Sequence, residues 1–154
     1  MEPGTGAITV ATTGDGATSE GEFWESLNIA CLERMALLYL VEDNGWAISV
    51  PVEKQTAGGN IARLVSGFPN LKIFECAGTD FLASYATMST AIQHYRRDPS
   101  PFLVRARCTR PSSHSLSVDT RLYNTKSERA TAPLLAPVVP FPAWLIPRGT
   151  LAPP

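Results

Sequence analysis

Residues that could bind a metal ion occur at two separated points in the chain. Asp15 lies between Gly14 and Gly16, and 27 residues separate Gly16 from Asn44. A carboxylate and a carboxamide are oxygen ligands that suit a hard cation such as Mg²⁺, which binds about six oxygens and usually takes several of them from phosphate and water. A main-chain carbonyl in the turn near Trp46 would supply a third protein oxygen. This combination predicts a magnesium site, provided that the fold brings the residues together.

The pattern of apolar residues predicts alternating strands and helices. Short apolar runs of strand length are predicted to form strands at residues 8–12, 37–41, 71–76 and 102–106. Segments with helical spacing or helix-boundary residues are predicted to form helices at residues 19–34, 61–68 and 81–97. The first helix is expected to begin with a capping box, because Ser19 stands three residues before Glu22. This order predicts an α/β domain with a mostly parallel sheet flanked by helices.

The first crossover of such a fold would bring the distant residues together. A right-handed crossover joins parallel strands that point the same way, so Asp15 and Asn44 would both follow carboxyl ends of strands, where open α/β sheets bind ligands. Gly14 and Gly16 would let the backbone approach a diphosphate, and a helix opening near Ala17 would direct its N–H groups at that anion. A bound diphosphate is the economical inference. An aspartate between glycines is equally typical of an ordinary turn, and the residues alone leave both interpretations open.

The overall composition bounds the class of protein. The chain has 154 residues, 44% of them hydrophobic, which suits one globular domain. Its 13 basic and 14 acidic residues argue against nucleic-acid binding, which needs a basic face. The longest apolar run, residues 35–41, is shorter than the roughly 20 residues of a membrane span, so no membrane partner is expected. The widely spaced Cys31, Cys76 and Cys108 are predicted to be small buried residues in a reducing compartment, either bacterial cytoplasm or an organelle matrix.

The C-terminal segment differs in composition from the rest. Residues 133–154 hold 7 of the 13 prolines and almost no charge. Proline at that density interrupts helix interiors and central strands alike. We therefore predict a folded domain over residues 1–128 and an irregular, proline-rich tail over residues 129–154.

Two segments resemble parts of one known family motif. Residues 14–23, GDGATSEGEF, resemble the thiamine-diphosphate motif in alpha subunits of 2-oxoacid dehydrogenases of the pyruvate, branched-chain and acetoin types. Residues 43–51, DNGWAISVP, resemble the far end of that motif, and the similarity runs from about Ile8 to Glu128. The resemblance implies a thiamine-diphosphate-binding fold that is incomplete at its N-terminal side. It also implies a magnesium ion and a diphosphate at the following residues: Asp15, Asn44 and the Trp46 carbonyl on the metal, and Gly14, Gly16 and Ala17 along the diphosphate.

The same resemblance gives a role to His114. Residues 114–119, HSLSVD, resemble the family's active-site loop, whose histidine lies beside the cofactor. His114 is therefore the predicted catalytic residue and a cofactor contact, although its sequence context alone is more typical of an exposed loop histidine. The chain departs from the family at Asp43, often asparagine, and at Val118, often aspartate. The other histidine, His94, is expected on the solvent-exposed face of the helix at residues 81–97.

The resemblance implies a dehydrogenase component that decarboxylates a 2-oxoacid with thiamine diphosphate and transfers the acyl group to lipoyl. The expected partners are a beta subunit or beta domain, a lipoyl-bearing acyltransferase component and the 2-oxoacid substrate. Family alpha subunits carry a long segment before the first motif strand, so the chain is expected to be a fragment that is inactive alone. The alternative is a non-catalytic fragment that folds and binds only a partner subunit. A nucleotide-binding protein is disfavoured, because GxxxxGK[ST] and GxGxxG are both absent.

Overall fold

Residues 6–136 and 138–150 are described by the structure, a computed structural model. Its strands are, in chain order, β1 (Thr9–Gly14), β2 (Leu37–Asp43), β3 (Trp46–Ala47), β4 (Val50–Pro51), β5 (Lys72–Ala77) and β6 (Phe102–Arg107). Its α-helices are α1 (Gly21–Leu32), α2 (Val52–Gln55), α3 (Ile61–Leu64), α4 (Phe81–Arg97), α5 (Lys126–Leu135) and α6 (Pro140–Leu145). Short 3₁₀ turns occur at Gly16–Ser19, Ala57–Gly59, Thr120–Leu122 and Ile146–Arg148.

The main sheet has four parallel strands in the order β1-β2-β6-β5. In its register Gly14 pairs with Glu42, and Asp43 pairs with Arg107. Strands β1, β2 and β6 therefore end at the same edge of the sheet. The short antiparallel pair β3-β4 follows β2 at that edge. The predicted α/β class with a mostly parallel sheet is confirmed, as are the four predicted strands.

Helices cover both faces of the sheet, because its central strands are apolar on both sides. One face packs against α1 and α3, and its core includes Phe23, Leu27, Ile61, Val65, Tyr39 and Leu103. The opposite face packs against α4, and its core includes Ala91, Tyr95, Leu38, Phe102 and Val104. Adjacent residues of β2 and β6 thus point into different cores, as expected for strands of a covered parallel sheet. This packing fixes the carboxyl ends of the strands that bear the predicted site.

The predicted start of the first helix is wrong. Helix α1 begins at Gly21 after Glu20, with no side-chain cap, and the residues before it form the 3₁₀ turn Gly16–Ser19. The hydroxyl of Ser19 instead donates a hydrogen bond to the carbonyl of Gln55, at 3.4 Å. Ser19 and Glu22 therefore form no capping box, because Ser19 bonds to another element. It follows that the predicted helix opening near Ala17 is a single tight turn.

The prediction of an irregular backbone after residue 128 is also wrong for most of the residues that the structure describes there. Helix α5 runs through the start of this segment, and its amino end has a complete capping box formed by Thr125 and Glu128. Pro133 lies within the last turn of α5, and Pro140 occupies the first position of α6, where no N–H donor is needed. The division of the chain at residue 128 stays a prediction.

Among the predictions for His94 and the three cysteines, only the burial of Cys31 is fully confirmed. His94 is half-buried rather than solvated, and its ring lies edge-on to Phe74 at 6.1 Å between ring centroids. Cys31 is buried as predicted, whereas Cys76 and Cys108 are only partly buried, and the structure shows all three as free thiols.

Over the part of the chain that the structure describes, no single helix is long and apolar enough to cross a membrane. One pair of helical segments, Lys126–Leu135 and Pro140–Arg148, is together long and apolar enough for a membrane span, but the two segments are bent by 47° relative to each other.

Candidate functional site at the carboxyl edge of the sheet

Asp15 is a buried carboxylate whose hydrogen bonding is incomplete. Its side chain directly follows β1, and the residue is only 1% exposed. Oδ1 accepts a hydrogen bond from the main-chain N–H of Asn44 at 3.3 Å, but Oδ2 is buried and has no hydrogen-bond partner among the described residues. Burial, and then the nearby charge of Asp43, raise the pKa of Asp15. A bound cation would satisfy Oδ2 and offset the cost of burying this charge.

The main-chain N–H of Asn44 contacts Asp15, and the side chain of Asn44 accepts a hydrogen bond within the turn that follows it. Its Oδ1 accepts a hydrogen bond from the N–H of Trp46 at 3.1 Å, which is the geometry of an Asx turn. A carboxamide oxygen has a second lone pair, so this bond leaves Oδ1 able to bind a cation. The crossover brings Asp15 and Asn44 into direct contact, as the argument from strand direction required. Their role as metal ligands stays a prediction.

Trp46 is held at the same turn by its main chain and its ring. The indole packs against Tyr123, with 5.1 Å between ring centroids and a tilt of 52°. This contact restrains the hairpin that follows Asn44, which includes the Trp46 carbonyl. That carbonyl as a metal ligand remains a prediction.

Gly16 allows the two halves of the site to pack closely. A Cβ added to Gly16 would lie 2.9 Å from the Cβ and 3.0 Å from the Cα of Ala47, which is too close for unstrained contact. At Gly14 the nearest such atom is the carbonyl oxygen of Glu42, at 3.9 Å. The space beside Gly16 is therefore taken up by β3, which the sequence did not indicate. The predicted contacts of Gly14, Gly16 and Ala17 with a diphosphate stay predictions.

Gln55 is a site residue that sequence reasoning missed. Its Nε2 donates hydrogen bonds to the carbonyls of Asp15, at 3.1 Å, and Gly16, at 2.9 Å, and it also contacts the hydroxyl of Ser19. Its Oε1 accepts a hydrogen bond from the hydroxyl of Thr56 at 3.0 Å. The residue lies 39 positions beyond Gly16 in a four-residue helix, so no local pattern in the sequence indicates these contacts.

An ion-pair chain crosses the sheet beside the candidate metal site. The guanidinium of Arg105 on β6 bonds Asp43 on β2 and Glu75 on β5. Asp43 also accepts a hydrogen bond from the N–H of Gly45 at 3.0 Å, so these ion pairs support the turn that carries Asn44. The hydrogen bond from Arg105 lowers the pKa of Glu75. The buried Asp43 is thus neutralised by a cation from the protein, whereas Asp15 is not.

A cleft of about 170 Å³ opens next to Asn44 and Trp46. Its other walls come from the segment between β6 and α5 and from α5 itself, with Cys108, Arg110, Glu128 and Leu135 among the lining residues. Burial, followed by the charges of Glu42 and Asp43, raises the pKa of the Cys108 thiol to about 11. This thiol is therefore protonated at neutral pH and is a poor nucleophile and metal ligand there.

His114 lies in the loop that follows β6. It is exposed in the loop after β6, and no hydrogen bond joins it to Asp15 or Asn44. In the same loop the hydroxyls of Ser115 and Ser117 are 2.9 Å apart. The structure therefore brings Asp15, Asn44 and Trp46 together but shows no hydrogen bond from His114 to them, and its catalytic role stays a prediction.

The donor set decides which kind of metal the site would suit. Within residues 6–136 and 138–150, no group of three or more His, Cys, Asp or Glu side chains could hold a metal ion. The candidate site instead combines one carboxylate with amide and main-chain oxygens. Such a set fits Mg²⁺, which completes its coordination with water and phosphate, and does not resemble a zinc site.

Comparisons with known proteins identify the family to which the sequence is similar. The sequence matches the family described as "Dehydrogenase E1 component" over residues 2–152. It is 35% identical over 93% of its length to 3-methyl-2-oxobutanoate dehydrogenase subunit alpha of Mycobacterium tuberculosis, covering 39% of that protein. It is 31% identical over 95% of its length to pyruvate dehydrogenase E1 component subunit alpha of Mycoplasma pneumoniae, covering 40% of it. For 2-oxoisovalerate dehydrogenase subunit alpha of Bacillus subtilis the identity is 30%, over 92% of this chain and 42% of the relative.

The matches cover most of this chain but only part of each relative. The family match continues through most of the proline-rich tail, beyond the predicted limit at Glu128. The chain spans about two fifths of the length of the curated relatives that it matches. On the family match and these identities, the chain belongs to the dehydrogenase E1 component family.

Proposed function

We propose that the chain is the part of an E1 alpha subunit that binds the magnesium ion and diphosphate of thiamine diphosphate. The single observation that carries the proposal is the buried Oδ2 of Asp15, which has no hydrogen-bond partner in the described chain and lies on a residue in contact with Asn44. Such an atom is unfavourable in an empty protein and favourable in one that binds a divalent cation. The family supports the choice of cofactor.

The residues of the site would hold the cofactor rather than react with it. Asp15, Asn44 and the carbonyl of Trp46 would bind Mg²⁺, and the backbone at Gly14, Gly16 and Ala17 would lie along the diphosphate. Thiamine diphosphate, when bound, supplies the carbon nucleophile that adds to the keto carbon and accepts the electrons released on decarboxylation. His114, in the loop after β6, would serve the reacting group.

The activity of the whole protein is proposed from its relatives. Their names include pyruvate, 3-methyl-2-oxobutanoate and 2-oxoisovalerate dehydrogenase alpha subunits, so the proposed substrate is a short or branched 2-oxoacid. The proposed reaction is oxidative decarboxylation with transfer of the acyl group to a lipoyl acceptor. The proposed partners are a beta subunit or beta domain and the lipoyl-bearing acyltransferase. One relative, from Arabidopsis thaliana, is named as mitochondrial, and the expected location is bacterial cytoplasm or an organelle matrix.

A reconstitution assay tests this function. The chain is mixed with a beta subunit of the family, thiamine diphosphate, Mg²⁺ and lipoyl acceptor, and decarboxylation of pyruvate and of branched 2-oxoacids is measured. We expect activity that requires Mg²⁺ and that Asp15→Ala abolishes. Complex formation without activity on any of these substrates would favour the alternative, a non-catalytic fragment that binds only a partner subunit.

A further inference from the structure

Gln55 joins the two halves of the candidate metal site. The carbonyls of Asp15 and Gly16 both accept hydrogen bonds from its Nε2, at 3.1 and 2.9 Å. The hydroxyl of Ser19 contacts the same nitrogen and donates to the carbonyl of Gln55 at 3.4 Å. These contacts extend from one end of the turn after β1 to the other. A single side chain therefore fixes the backbone from which the Asp15 carboxylate projects.

The position of Gln55 in the chain makes these contacts informative. Helix α2 directly follows β4, so one segment of the chain carries Asn44 and Trp46 and ends on Gln55. At its start the segment is held by the hydrogen bond from the N–H of Gly45 to Asp43. At its end the hydroxyl of the buried Thr56 donates a hydrogen bond to Oε1 of Gln55. It thus supplies one predicted ligand and holds the backbone of the other.

The Asp15 carboxylate itself has few restraints. Its Oδ1 accepts a 3.3 Å hydrogen bond from the N–H of Asn44, and Oδ2 has no hydrogen-bond partner in the described chain. Its direction is therefore set by the backbone of the turn, where the hydroxyl of Thr18 bonds the Asp15 carbonyl at 2.7 Å and Gln55 bonds it at 3.1 Å. Thr18 is part of the turn, whereas Gln55 reaches it from the opposite half of the site.

We propose that Gln55 is a positioning residue of the cation site, which presents the Asp15 carboxylate to a divalent cation by holding the Asp15–Gly16 backbone against the segment that carries Asn44. This inference rests on the proposed function, because it concerns the affinity of the same site. Residues that orient metal ligands typically change metal affinity by 10- to 100-fold when they are replaced.

Mn²⁺ binding to the 154-residue chain tests the proposal. The affinity for Mn²⁺ alone is measured by electron paramagnetic resonance for the unaltered chain, Gln55→Glu and Gln55→Met. Gln55→Glu keeps the length and the oxygen that accepts from Thr56 but has no donor for the two carbonyls, and Gln55→Met removes the donors without adding charge. Lys54→Met is the matched control, because Lys54 is the exposed neighbour in α2. Circular dichroism and thermal unfolding establish that each variant is folded.

We expect both Gln55 variants to bind Mn²⁺ about tenfold or more weakly than the unaltered chain, while Lys54→Met binds it equally well. The spectrum of the Mn²⁺ that still binds should also change, because the ligand geometry is altered. A folded Gln55→Glu or Gln55→Met variant with unchanged affinity and spectrum would overturn the role of Gln55 but leave the cation site intact. Failure of the unaltered chain to bind Mn²⁺ would overturn the cation site, and the role of Gln55 with it.

Discussion

Removal from water disfavours a negative charge on the buried side chain of Asp15. The carboxylate is held at 1% exposure with one oxygen that lacks a hydrogen-bond partner among the described residues, and its pKa is raised mainly by that burial. A group whose pKa is raised on folding favours the folded state most below its ordinary value, here 3.8, and that advantage is lost as pH rises through the folded pKa. At neutral pH without metal, Asp15 therefore weakens the fold.

Replacing this charge should stabilise the chain and remove its response to metal. We expect Asp15→Asn to raise the free energy of unfolding by about 1 kcal/mol at pH 7 without divalent cation, because the variant buries no charge. Millimolar Mg²⁺ should stabilise the unaltered chain and leave the variant unaffected. Urea unfolding with and without Mg²⁺ at pH 7 and pH 4 measures both effects. A variant that is less stable than the unaltered chain and still gains from Mg²⁺ would contradict this account of Asp15.

We expect a glycine at position 16 to be needed for close packing against Ala47, whether or not a ligand is bound. In Gly16→Ala the new methyl group would meet Ala47 at 2.9 Å, so the hairpin after Asn44 must shift and the free energy of unfolding should fall by about 1–3 kcal/mol. Gly14→Ala, whose nearest neighbour would be 3.9 Å away, is the matched control and should lose far less.

The double variant Gly16→Ala with Ala47→Gly removes the 2.9 Å contact with the Cβ of Ala47 and keeps the 3.0 Å contact with its Cα, so it should recover part of the lost stability, which thermal or urea unfolding can measure. If the double variant were as unstable as Gly16→Ala alone, contact with the Cβ of Ala47 would not be the reason for a glycine at this position.

At the scale of elements, local patterns predicted the strands but not the contacts between distant segments. Apolar runs such as residues 37–41 identify a strand of a parallel sheet because both of its faces are buried. The contact of Asp15 with Asn44 followed from the direction of two parallel strands. Gln55 could not be found in the same way, because its role depends on three-dimensional contact across 39 positions of the chain.

Helix boundaries were the weakest part of the prediction. The spacing of Ser19 and Glu22 suggested a capping box, but Ser19 bonds to α2, and α1 begins later. The capping box that does form, Thr125 with Glu128, has the same spacing and was not predicted, because the proline content that follows it indicated an irregular segment. A single proline near the end of a helix removes little of its hydrogen bonding, so the composition of the tail was misleading there.

The ion pairs that link three strands at the site edge give a prediction about pH. The hydrogen bond from Arg105 lowers the pKa of Glu75, so this pair contributes stability above the ordinary value of 4.5, and the contribution is lost as pH falls through the folded pKa. The side chain of Glu75 is 43% exposed, so solvent screening limits its contribution to below about 1 kcal/mol.

Glu75→Gln should therefore lower the free energy of unfolding slightly at pH 7 and have almost no effect at pH 3. Urea unfolding across this range measures the difference, and the same substitution at the exposed Glu33 is the control. An equal loss of stability at both pH values would show that the charge of Glu75 is not the cause.

At the scale of the whole molecule, the chain spans about two fifths of its curated relatives. The region includes both halves of the candidate metal site and the loop with His114. We therefore expect the chain to bind the metal-bound diphosphate of the cofactor and to show no decarboxylation unless a beta part is present.

The central claim is that Asp15 and Asn44 together bind a cation that carries a diphosphate, and calorimetry tests it most directly. Thiamine diphosphate is titrated into the chain, assembled with a beta subunit, in the presence and absence of Mg²⁺, and the titration is repeated with Asp15→Ala. We predict saturable binding that requires Mg²⁺ and disappears in the variant. Equal binding by Asp15→Ala, or binding that is indifferent to Mg²⁺, would contradict the account.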